Sequence, residues 1–325
     1  MFRKLWKQTK IVLIIIIIII ALPRSILPRS TQSKEDSDYY IKLNESERRL
    51  PDYKDDNVAL ALKLEQLDLI NKRRKKFNAK PLKLDIFASR VANKISREAA
   101  ENNFAGHWNL RGEKPYHRYA FAGGYDHVSE NAYAEWSSAN LENSASSVSA
   151  MMKAGHQSFM AEKAPRDGHK QTVIAKDHNY VGIGFYVSGS QFRYYEEYID
   201  RYFEFTDIPS SLAVNEKSTI KLKTDGTKFL YFMIIYYEDF PKPLKAQEIA
   251  RRGSYQDYTD KQYLTLTAWE LARHRNGPYY EIPVSFDKRG LYYIHLFIDD
   301  KEITKPVSVS TKGKTPYTGI VISVN

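Results

Sequence analysis

Tyr180-Val-Gly-Ile-Gly-Phe-Tyr-Val187 is the stretch on which the reading of the fold turns. Val181, Ile183, Phe185 and Val187 alternate with small or polar residues, the two-residue period of a strand with one buried face. Gln191 to Phe203, rich in tyrosine, reads as its hairpin partner, with Tyr194, Tyr195, Tyr198 and Tyr202 divided between that strand's two faces. Upstream the period changes. Leu60, Leu64 and Leu67 share one face of a helix running from about Asn57, its N-cap, to Lys76. A second helix begins near Asp85, carries Phe87, Val91, Ile95 and Ala99, and stops near Asn102-Asn103. A third spans Ser146 to Glu162, while the glycines and Pro115 between Phe104 and Ala134 predict loop. Helices and strands mixed in this way make an α+β unit over residues 57–204.

Beyond Phe205 to Pro209 only strand-like runs remain: Thr219 to Thr224, Phe229 to Tyr237, Tyr263 to Leu271, Tyr279 to Phe286, Leu291 to Ile298 and Pro306 to Ser310. Short strands separated by Asp225-Gly226 and Arg289-Gly290 predict an all-β sandwich over residues 205–325, immunoglobulin-like or fibronectin-like.

The amino terminus speaks to compartment. Arg3, Lys4, Lys7 and Lys10 precede an apolar run from Ile11 to Leu22, so residues 1–22 read as a signal peptide or, uncleaved, a signal anchor. Residues 23–56 are polar and read as a linker. The chain is therefore expected to be secreted or anchored outside the cytoplasmic membrane. It has no cysteine, which excludes disulfides, thiolate zinc sites and a cysteine nucleophile. A net charge of +10 is compatible with anionic membrane surfaces, wall polymers or nucleic acid, but no nucleic-acid-binding motif accompanies it. Lys72 to Lys76 reads as a solvated helix end.

Six of the eight histidines lie between His107 and His178, in a window that also holds Glu130, Glu135 and Glu162. Histidine is the commonest neutral metal ligand and titrates near neutrality, so such a window draws attention. Local context sorts its members. His107 follows a glycine just past the second helix, Glu130 stands beside Asn131, and His169 opens a short helix ahead of Val181-Gly-Ile-Gly184, whose glycines allow close backbone approach beside a site. His117, His127 and His178 read as loop histidines, and His156 as packing or surface in the third helix. Neither Ser129 nor Ser158 sits in a Gly-x-Ser-x-Gly elbow, which argues against a serine hydrolase.

Several of these motifs, in this order, resemble the CAP superfamily of cysteine-rich secretory proteins, antigen 5 and pathogenesis-related proteins, in its bacterial form. They are Ile70-Asn71 with Arg73 or Arg74, Pro81-Leu82, His107, Pro115-Tyr-His-Arg118, Gly124-Tyr125, Ser129-Glu130-Asn131-Ala132, and Gly168-His169 followed by Val181-Gly-Ile-Gly184. The resemblance covers about Asn57 to Phe203 and implies an α-β-α sandwich. It also implies a groove of two histidines and two glutamates able to bind a divalent metal such as zinc. His107 and His169 match the histidines and Glu130 one glutamate. At the second glutamate, Ser149 to Phe159 holds no acid but does hold His156, with Glu162 close by. The metal set expected is thus His107, Glu130, His169 and His156, with His107, Glu130 and His169 as catalytic candidates. The resemblance implies a binding or interaction module at the cell envelope, taking a metal, a lipid or sterol, or an envelope component. A protein partner is expected on the C-terminal domain, and the membrane itself at an uncleaved amino terminus. The alternative is a zinc-dependent hydrolase of peptide or wall material, which an open coordination position would serve.

Overall fold

The computed structural model describes residues 34–253, 255 and 261–325; the signal or anchor expected at 1–22 lies outside the described residues. Residues 33–325 form one compact unit. Its first part runs α1 (Lys34–Ser46), α2 (Asn57–Lys75), β1 (Lys83–Leu84), α3 (Ile86–Glu101), α4 (Pro115–Phe121), β2 (His127–Trp136), α5 (Ala145–Ala161), α6 (Gly168–Ile174), β3 (Tyr180–Ser188) and β4 (Gln191–Asp200).

The strands order β1-β3-β4-β2, parallel between β1 and β3 and antiparallel elsewhere. Val181 and Ile183 pack with Leu60, Leu64, Leu67 and Ile70 of α2 and Met152 and Phe159 of α5. On the opposite face lies α3, through Phe87, Val91, Ala92 and Ile95. The result is the expected α-β-α layering, and the alternation of β3 explains it. Gly182 and Gly184 face α3 so closely that an added Cβ would sit 2.4 Å from the backbone of Ala88 and 2.2 Å from that of Ala92. The close backbone approach anticipated at these glycines is therefore helix against strand, not ligand against strand. Tyr194 and Tyr198 join the α2–α5 side while Tyr195 joins the α3 side, as a strand's alternation requires.

Local expectations needed correction where tertiary contacts decide. The stretch read as linker contains α1, whose Tyr40 is buried and accepts a hydrogen bond at Oη from the Leu84 N–H at 3.1 Å. The N-cap of α2 is Asp56, whose carboxylate accepts from the Ala59 N–H at 2.7 Å, and not Asn57. Within the expected loop 104–134 lie α4 and much of β2. In the basic run, Arg74 is buried and donates to the carbonyls of Lys80, Val173, Ala175 and His178, clamping α2 to the segment around α6. Burying a guanidinium is tolerable because those carbonyls replace its water.

The second part runs β5 (Glu204–Asp207), β6 (Ser211–Leu212), β7 (Ser218–Lys223), β8 (Phe229–Glu238), α7 (Ala246–Ala250), β9 (Gln262–Thr267), α8 (Ala268–Leu271), β10 (Arg275–Asn276), β11 (Tyr279–Val284), β12 (Gly290–Asp299) and β13 (Ile320–Val324). Two sheets, β10-β11-β7-β5 and β6-β13-β12-β8-β9, face each other across Ile220, Ile282, Met233, Ile235, Ile294 and Ile322. The expected strand 263–271 turns helical at Ala268, residues 306–310 form no strand, and β13 and α7 were not anticipated. The parts are not separate bodies. Tyr116 stacks on Tyr293 at 4.1 Å, Tyr116 and Lys114 both donate to Glu238, and Leu291, Tyr293 and Val321 complete a cluster with Phe87, Val91 and Val128.

Candidate functional site

A groove of about 540 Å³ opens where the start of β2 meets α6 and the turn after α3. His107 stands in that turn, Ser129, Glu130 and Asn131 on β2, Glu162 at the C-cap of α5, and His169 in the first turn of α6. His107 Nδ1 lies 2.8 Å from Glu130 Oε1, and His169 Nδ1 lies 2.5 Å from Glu162 Oε1. The two imidazole centroids are 6.2 Å apart. Phe159 stacks on His169 at 5.0 Å, and Asn131 donates to the His169 carbonyl at 3.0 Å, so α6 is fixed to both α5 and β2. The same amide's oxygen, Asn131 Oδ1, is buried with no hydrogen-bond partner among the described residues.

Behind the groove the chemistry is denser. Arg118, on α4, donates to Glu130 Oε2 and to the His107 carbonyl. Glu197 lies directly across from Glu130 on β4, is fully buried, and comes within 3.6 Å of Arg118. Burial, with Glu130 beside it, pushes the Glu197 carboxyl well above the usual carboxylate range. Burial raises Glu130 too, against the pull of Arg118. Two carboxyls share one guanidinium in a dry site, and the pair therefore retains a proton where free carboxylates would not.

The histidine window resolves into separate places. His107 and His169 come together, with Glu130 on one and Glu162 on the other. His156, expected with them, does not: it is fully buried against Glu196 at 2.8 Å, in a network where Tyr194 and Tyr198 also donate to Glu196 and Gln66 donates to Tyr194. The fourth groove position is filled by Glu162, seven residues ahead of His169 in the chain, because α5 ends and the chain turns back before α6. His178 is a loop histidine as expected, whereas His127 begins β2 and His117 lies in α4. His127 and His178 flank Asp200, at 3.0 and 2.6 Å, and His117 lies within 3.2 Å of Glu238. Arg118 and Glu197 were missed as site residues. Two adjacent acids, Glu196-Glu197, in an otherwise aromatic strand were the available signal, since such a strand buries both faces and each acid must find a partner.

Residues 67–199 match the model of the CAP, or cysteine-rich secretory protein, family. That segment is a CAP domain. Solved structures similar to this chain include an extracellular SCP-domain protein of Bacillus anthracis, at 19% identity and TM-score 0.33, over 42% of this chain and 40% of that one. An outer surface protein of Borrelia burgdorferi matches at 17% identity and TM-score 0.34, over 43% and 93%. A cysteine-rich secretory protein of Staphylococcus aureus matches at 15% identity and TM-score 0.28, over 43% and 38%. No curated protein matches the sequence.

The CAP domain's implied metal can be tested against these donors. Each groove imidazole has its Nδ1 held by a carboxylate, the arrangement that orients Nε2 as the ligating nitrogen. Glu130 does not fit as a ligand, because one oxygen meets His107 and the other the Arg118 guanidinium. Glu162 likewise meets both the ring and the N–H of His169. Among the described residues no group of three or more His, Cys, Asp or Glu side chains is placed to hold a metal ion. The donors fit two imidazole ligands and no more.

Proposed function

We propose that this chain is a binding module acting outside the cytoplasm, at the cell envelope, whose groove takes a hydrophilic ligand through His107 and His169. The observation that carries this reading is the pair of imidazole–carboxylate dyads, His107–Glu130 and His169–Glu162, facing each other across an open groove. Ser129, Asn131, Arg166 and Thr172 line the rest, together with Pro165, Gly168 and Tyr255. That lining favours a polar occupant over a sterol or an acyl chain. A divalent cation would take the two imidazoles and leave its remaining positions to water or to an anionic ligand, which is a bridging role. Bound there, such a cation supplies Lewis acidity. The chain's own groups would orient the imidazoles, with Glu130 and Glu162 as acceptors and Arg118 balancing the buried charge.

The alternative of a zinc-dependent hydrolase needs a base free to accept a proton from water. Glu130, with both oxygens engaged, supports that role poorly. The C-terminal two-sheet region is read as an immunoglobulin-like or fibronectin-like partner module on architecture alone. Among the described residues no helix is long and apolar enough to cross a membrane. We propose membrane attachment through residues 1–22, if that apolar segment stays uncleaved.

Zinc titration of the full chain by calorimetry tests the reading. Wild type is expected to bind one zinc, and the His107→Ala/His169→Ala double variant to lose at least tenfold in affinity. Equal affinity in both removes the cation from the groove. Zinc-dependent cleavage of peptide or wall fragments that the double variant loses would replace binding by hydrolysis.

A further inference from the structure

We propose that the C-terminal region supplies a recognition residue to the CAP groove: Tyr255, which fixes Glu130 and His107 and forms the groove's aromatic wall. The proposal rests on the groove reading above, and extends the site beyond residues 67–199, the segment that matches the CAP family.

The connection between β8 and β9 reaches back across the CAP domain. The Leu244 N–H donates to the Leu110 carbonyl at 2.8 Å, and Ile249 of α7 is fully buried among Phe104, Trp108 and Tyr195. Arg252 lies 5.1 Å over the Trp108 ring. At Gly112, with φ +75°, an added Cβ would stand 2.1 Å from the Lys242 carbonyl oxygen, so the two backbones touch. Ile249, Leu244 and Ala246 dock this arm on the CAP domain, and Tyr255 packs against the same cluster.

What Tyr255 does is different in kind. Strand β2 is an edge of its sheet, and an edge N–H that turns away from its neighbour must find another acceptor. The Glu130 N–H finds it in Tyr255 Oη, at 2.9 Å. The tyrosine ring lies 4.8 Å from the His107 ring and 6.5 Å, edge-on, from Trp108. Tyr255 therefore holds the backbone of the carboxylate and the face of the imidazole that make up one dyad. Tyr255, Arg166 and His169 line the groove with His107, and the Tyr255 ring forms its wall beside that imidazole. A CAP domain without this C-terminal region would lack that wall, which makes the groove a product of both parts of the chain.

The test uses the full chain with Tyr255→Phe and Tyr255→Ala, hydrogen exchange at the Glu130 amide, and zinc calorimetry. Both variants should keep the wild-type fold by circular dichroism, because Ile249 anchors the arm. The Glu130 amide should exchange at least tenfold faster in both. Zinc affinity should fall about tenfold in Tyr255→Ala, as for loss of a group that orients a ligand, and less in Tyr255→Phe. Unchanged exchange at Glu130 overturns the proposal, as does equal zinc affinity of wild type and Tyr255→Ala. If wild type itself takes no zinc, the cation reading fails, and exchange at Glu130 alone then decides whether Tyr255 belongs to the site.

Discussion

His169–Glu162 and His156–Glu196 are the same chemical pair, an imidazole Nδ1 against a glutamate oxygen, yet they do different work. The His169 side chain is 35% exposed, whereas His156 and Glu196 are fully buried. In the buried pair His156 Nδ1 and the carboxylate replace water for each other, and Tyr194 and Tyr198 also donate to Glu196, while His156 Nε2 has no hydrogen-bond partner among the described residues. In the groove pair the carboxylate orients a ring that solvent and ligand can still reach. The lesson is that pairing does not mark a site; pairing at the surface of a cavity does.

The sharpest way to break the comparison is to remove one member of a buried His–carboxylate group and one member of the groove pair. Asp200→Ala would leave His127 and His178, both buried, without their shared partner, and should cost about 3–5 kcal/mol of stability in urea unfolding. His169→Ala, at the partly exposed dyad, should cost about 1 kcal/mol or less. Equal losses would mean that burial does not separate the two classes.

Glu197→Gln sharpens the line from the other side. A carboxyl whose folded pKa is raised stays protonated in the folded state while the unfolded chain ionises above about 4.5, so it lowers stability as pH rises. The substitution should therefore raise stability at pH 7, read from the urea midpoint. A loss of stability at pH 7 would show that Glu197 is ionised and needed there.

Acid unfolding gives a smaller contrast of opposite sign. Burial disfavours ionised Asp200 and Glu196, but His178 and His127 outweigh it at Asp200, and His156 does so at Glu196, so both stay below the usual carboxylate range. At Glu47, burial is outweighed by hydrogen bonds from Arg49, which bring it to about 2. Groups with depressed pKa values stabilise the fold above their unfolded pKa and lose that contribution as pH falls through the folded value. For Glu47 the window runs from 4.5 down to about 2. Glu47→Gln should flatten the urea midpoint against pH in that window, and an unchanged slope would remove Glu47 from the account. The least effect is expected at the exposed Lys153–Glu65 pair, where Glu65→Gln should stay within about 0.5 kcal/mol of wild type.

Much of the scaffold was legible. Leucines at helical spacing in α2, the alternation of β3 and the tyrosines of β4 each specify a period, and a period is a property of neighbouring residues alone. Three of the four groove residues, His107, Glu130 and His169, could be named from local context for the same reason. What the chain's order does not contain is which remote groups meet. Glu162 instead of His156, Glu197 behind Glu130, Arg74 clamped by four carbonyls, and Tyr255 against the groove all depend on how the packed elements bring side chains together. The run of six histidines illustrates the limit. The sequence by itself determined that imidazoles would be concentrated in the layer around one sheet. Only the tertiary structure decided which were reachable, because burial is set by the elements stacked over a side chain and not by the residues beside it.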